Sequence, residues 1–83
     1  MKHRVRLTVT ESRCRCGLHQ KGEEFVIGDV CPPICHELWN NIYPMIYALG
    51  SGGELESGEG YSKSFTARCP DGGRVEVRCE LVE

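Results

Sequence analysis

Six cysteines, at positions 14, 16, 31, 35, 69 and 79, are the side chains of this sequence best suited to chemistry. Cys14 and Cys16 form C-x-C. Cys31 and Cys35 bracket two prolines in CPPIC. In a reducing compartment such thiols act as metal ligands, as redox or nucleophilic groups, or as small buried hydrophobes. In a secreted chain they would instead suggest a disulfide framework. Cys35 is expected in the first turn of a helix, on its apolar side. Free N–H groups and the positive helix end would stabilise a thiolate there, which makes Cys35 the candidate catalytic thiol.

Cys14, Cys16, Cys31 and Cys35 together make a four-thiolate set suited to zinc or iron. His19 or His36 could replace one ligand. The spacing is not the C-x-x-C of redox helices and zinc knuckles. Cys69 ends a strand pattern just before a turn, so a core role and a site role both remain open. Cys79 follows the apolar phase of its strand and reads as a buried filler.

Positioning these thiols falls to a few short elements. Val5, Leu7 and Val9 alternate with polar residues, the period of a strand with one buried face. EEFVIGD reads as a second strand, with Phe25 and Ile27 on one side. From about Ile34 to Leu49 the pattern is helical. Leu38, Ile42, Met45 and Leu49 make one stripe, and Trp39, Tyr43 and Tyr47 make another beside it. Pro44 falls in the helix interior, where it either kinks the helix or separates two shorter ones. Residues 50–60, GSGGELESGEG, read as a mobile loop. SFTAR and RVEVRCELV then form a hairpin across PDGG, a strong turn signal. The expected fold is α+β: about four antiparallel strands in one domain, residues 1–83, with one sheet face covered by a central helix. A small open barrel is the competing architecture.

Composition narrows the partners. The formal net charge is -2, so nucleic acid is not expected. Charge is nevertheless uneven, since residues 1–21 sum to +5 and residues 22–60 hold seven acids and no Lys or Arg. The simplest account is complementary surfaces within the fold or a symmetric dimer. MKHRVRLTVT alternates charged and apolar residues, unlike a signal peptide or a membrane span, and a cytoplasmic location is expected. No phosphate-binding loop, serine elbow or H-E-x-x-H motif occurs.

Four stretches carry a resemblance: CGLHQKGEEF from Cys16, CHELWNNIYP from Cys35, the helix end at Ala48-Leu49 with Gly52-Gly53 after it, and CPDGG from Cys69. With them the chain resembles a family of small, functionally uncharacterised bacterial and archaeal proteins. The resemblance implies that Cys16, Cys35, Trp39, Tyr43, Pro44, Cys69, Asp71 and Gly72 occupy the family's pattern. It points to Cys16, Cys35 and Cys69 as a group near the helix N-terminus, with Cys14 and Cys31 as additional thiols. It implies no particular reaction.

Three functions fit these features. The first is a metal- or thiol-binding accessory protein built on Cys16, Cys35 and Cys69, with Cys14, Cys31 or His19 completing the shell. The second is a thiol-redox or sulfur-relay enzyme, with Cys35 as nucleophile. The third is an interaction module, a homodimer or a protein complex formed through Trp39, Tyr43 and Tyr47.

Overall fold

The fold follows from three amphipathic strands and one amphipathic helix that bury a common apolar surface. The computed structural model describes residues 2–56 and 60–82. Strands β1 (Val5–Ser12), β2 (Glu24–Ile27), β5 (Ser64–Arg68) and β6 (Val75–Leu81) form an antiparallel sheet in the order β2-β1-β6-β5. Helix α1 (His36–Gly50) packs on it. The register sets Val5 opposite Ile27 and Leu81, Leu7 opposite Phe25 and Cys79, and Val9 opposite Val77. Val5, Leu7, Val9, Ile27, Val75, Val77 and Cys79 are therefore buried with Leu38, Ile42, Ile46 and Leu49 of the helix. This is the expected α+β architecture with one helix on a four-stranded sheet.

The helix departs from expectation in its start and in its buried stripe, and it runs past Pro44 as one of the two expected alternatives. It starts at His36, and Cys35 precedes it as the N-cap in an extended conformation (φ -48°, ψ 129°). A tight turn across Pro32-Pro33, closed by Ile34 N–H to Pro32 O at 2.7 Å, delays the first helical residue. The buried stripe uses Ile46 where Met45 was expected, and Met45 is half-buried. Pro44 lies on the exposed side, and one helix runs continuously past it. Beyond the helix, Gly52 adopts φ +94°, a conformation open to glycine, and lets Gly53 N–H return to Ala48 O at 2.9 Å.

Part of the Gly/Glu-rich segment 50–60 forms a strand pair with the residues that follow it. Leu55–Glu56 (β3) pairs with Tyr61–Ser62 (β4), anchored by Leu55 against the core. Residues 57–59 of this expected loop lie outside the described residues. On the outer sheet face Arg6 meets Glu80 at 3.8 Å and Arg68 meets Glu76 at 2.9 Å. Part of the basic N-terminal charge is thus matched within the chain. Among the described residues no helix is long and apolar enough to cross a membrane.

Cys79 has no exposed surface, and burial pushes its thiol up to about 12. As pH rises past the ordinary thiol range, the unfolded chain loses this proton while the folded chain keeps it. That contribution to stability is complete below the unfolded value and fades up to the folded one. Urea titrations should show wild type losing about 1.5 kcal/mol of its advantage over Cys79→Ala between about pH 8 and pH 10. An advantage that stays constant would mean that the folded protein lets this thiol ionise.

Candidate functional site: a cysteine pocket at the helix N-terminus

Three segments meet at one end of the sheet. The first is the connection between β1 and β2, which leaves the strand beside the β5–β6 turn through Arg13 N–H to Arg74 O at 2.7 Å. A bulge between Val9 and Glu11 redirects the end of β1. Ser12 Oγ then donates to His19 O at 2.6 Å, which closes the loop on itself. The second segment is the start of α1. The third is the turn 69–75, where Cys69 N–H donates to Val75 O at 2.9 Å and Gly73 N–H to Cys69 O at 3.1 Å. Asn41 Nδ2 donates to Arg68 O at 2.8 Å and ties the helix to that turn.

Between these segments lies a pocket of about 100 Å³, lined by Cys14, Cys16, Cys35 and Cys69 with His19, Arg15, Asp71 and Arg74. Sites for drug-sized ligands run to ~300 Å³ or more, so this pocket suits an ion or the reacting end of a small molecule. Cys14, Cys35 and Cys69 are half-buried, Cys16 is exposed, and all are free thiols. The trio Cys16, Cys35 and Cys69 therefore shares one pocket, and Cys14 joins it. Cys31 does not. It lies in a separate groove with Val30, Trp39, Tyr43 and Tyr47, and its Sγ faces Pro32 O at 3.3 Å.

Cys14 has the most distinctive surroundings. The Leu18 N–H above all, then those of Cys16, His19 and Gly17, lower its thiol from the ordinary range, against the opposing effect of partial burial. Gly17 makes this possible, because at φ +66° the chain folds back where a side chain would be strained. Cys35 was expected to draw on the helix N-terminus, but its side chain makes no capping hydrogen bond.

His19 is the bolt between the first two segments. It is 5% exposed. Its Nε2 accepts the Cys35 N–H at 3.0 Å, and Nδ1 lies 3.2 Å from Glu23 Oε1. Both ring nitrogens are engaged in a neutral tautomer that donates from Nδ1, so the arrangement uses His19 to hold Cys35 rather than to offer a free ligand nitrogen. The Glu23 carboxyl is held below its usual range first by the Gln20 N–H and then by His19. Among the described residues no three His, Cys, Asp or Glu side chains are close enough together to hold a metal ion. Arg15, Arg74 and the amides after Cys16 were not singled out from the sequence. The signal for the amides was the glycine directly after C-x-C.

Away from the pocket, Trp39 and Tyr43 stack at 5.2 Å between ring centroids, and Tyr43 and Tyr47 at 6.1 Å. Tyr43 and Tyr47 are exposed while Trp39 packs partly against the core. Comparison with protein-family models, curated proteins and solved structures finds no match.

Proposed function

We propose that this is a thiol-binding accessory protein whose cysteine pocket takes a soft electrophile at the N-terminus of its central helix. The observation that carries this reading is the convergence of Cys14, Cys16, Cys35 and Cys69 on one small pocket, where neighbouring backbone amides lower the Cys14 thiol from its ordinary range. A thiolate is the form that attacks disulfides and binds soft metals, and these amides favour it. The reading takes Cys14 as the leading thiol, with Cys35, Cys69 and Cys16 as the neighbours that would share or resolve the adduct. Six unpaired cysteines fit a reducing compartment such as the cytoplasm. Membership of the uncharacterised family that the sequence resembles belongs to the same proposal. So does a homodimer or protein partner on the Trp39–Tyr43–Tyr47 stripe, which sedimentation velocity would decide.

A second reading is a zinc or iron site on the same cysteines, favoured by four thiols arriving from three segments. It requires the two loops to draw inward around the ion. Anaerobic preparation separates the readings. In the first, limited alkylation at neutral pH modifies one pocket thiol well ahead of Cys31. In the second, the purified chain carries or takes up metal, and the pocket thiols become unreactive. Uniformly slow alkylation, together with less than ~0.2 metal per chain after metal addition, would reject both.

A further inference from the structure

The thiol reading leaves unexplained the charge that lines the same pocket. Asp71 Oδ2 lies 3.4 Å from Arg15 Nε and 3.9 Å from Arg74 Nε. Charge-assisted hydrogen bonds are typically ~2.7–2.9 Å, so both guanidinium groups are attracted to Asp71 without bonding to it at these atoms. One carboxylate thus stands between two cations. Arg74 Nε is shielded from solvent and has no hydrogen-bond partner among the described residues. The Arg74 side chain is one-third exposed, so its guanidinium can turn to meet an acceptor that a ligand supplies. The amides after Cys16 add partial positive charge beside the Cys14 sulfur. Glu37, from the first turn of α1, also lines the pocket and opposes these charges.

We propose that the pocket selects anionic disulfides, small molecules that carry a carboxylate or sulfonate a few bonds from the sulfur. This rests on the thiol reading above and adds the substrate's charge. Arg74 and Arg15 hold the acid group while Cys14 attacks the nearer sulfur. The substrate S–S bond breaks and a Cys14–substrate disulfide forms. The other half leaves as a thiolate that takes a proton from water. The Cys14 sulfur is oxidised and the departing sulfur is reduced, so no further reagent is needed.

The test compares second-order rates of mixed-disulfide formation with three probes at low ionic strength. These are dithiodiglycolate, bis(2-hydroxyethyl) disulfide and cystamine, which are anionic, neutral and cationic. A short unstructured cysteine peptide, whose thiolate repels the anionic probe, is the reference. Relative to that peptide, the anionic-to-cationic rate ratio should rise at least ~10-fold in the full chain and shrink with added salt. Arg15→Gln, at an exposed position, and Arg74→Gln should each lower the ratio, Arg74→Lys should retain part of it, and Glu37→Gln should raise it. Fast reaction with a peptide-like ratio overturns the charge selection alone. Reaction no faster than the peptide with every probe overturns the thiol reading and this inference together.

Discussion

Cys14→Ser slows the fastest alkylation of the chain at neutral pH by about threefold. Serine is a smaller replacement that cannot supply a thiolate. The amides of Leu18, Cys16, His19 and Gly17 stabilise negative charge at this one sulfur, which shifts its titration downward. Each unit of downward shift raises the thiolate fraction about tenfold while the thiol is mostly protonated, and the loss of intrinsic nucleophilicity offsets roughly half of that gain on a logarithmic scale. The wild-type rate should therefore reach half its plateau at a lower pH than an ordinary thiol. In Cys14→Ser the remaining fast phase should move to higher pH. Cys16→Ser and Cys69→Ser should keep the early phase, because the amides face Cys14. An unchanged rate in Cys14→Ser, with the fast phase lost in Cys35→Ser instead, would return the leading role to the helix cap.

His19→Phe lowers the unfolding free energy by about 1–3 kcal/mol, measured by urea denaturation at neutral pH. Phenylalanine can fill the space and keep the edge-on contact with Phe25, whose ring centroid lies 6.2 Å from that of His19. It cannot accept the Cys35 N–H or pair with Glu23, so a half-buried donor loses its acceptor and a carboxylate loses its neighbour. For a domain of this size the loss is a large part of a total that rarely exceeds ~5–10 kcal/mol. His19→Gln should recover part of it, since its amide oxygen can stand where Nε2 stands. The Glu23 interaction also has a pH signature. Its folded carboxyl titrates below the unfolded one, so its contribution is present at neutral pH and is lost as pH falls through the folded value. A His19→Phe variant as stable as wild type would mean that the loop reaches the helix without this histidine.

The same two residues mark how far the sequence can be read. The strands were legible because a pleated chain exposes alternate side chains. Val5, Leu7 and Val9, then Val75, Val77 and Cys79, fix which face of each strand is buried. The helix body was legible from its apolar period, with Ile46 rather than Met45 in the buried stripe. Its start was less so, because helical periodicity does not register a cap that the Pro32-Pro33 turn pushes to Cys35. The Leu55 anchor in the glycine-rich segment was hidden for a similar reason: composition reports flexibility, not which single side chain finds the core.

For the site, the sequence by itself determined the inventory and the neighbourhood. The turn after Cys69, the helix after Cys35 and the polar connection around Cys16 had to lie at the ends of antiparallel elements, and those ends meet. Only the tertiary structure decided which thiols share the pocket, which one the amides favour, and that His19 bolts the loop to the helix. These depend on loop closure, where a few hydrogen bonds and one positive-φ glycine aim groups distant in sequence at a common point. Local periodicity carries no information about that aim.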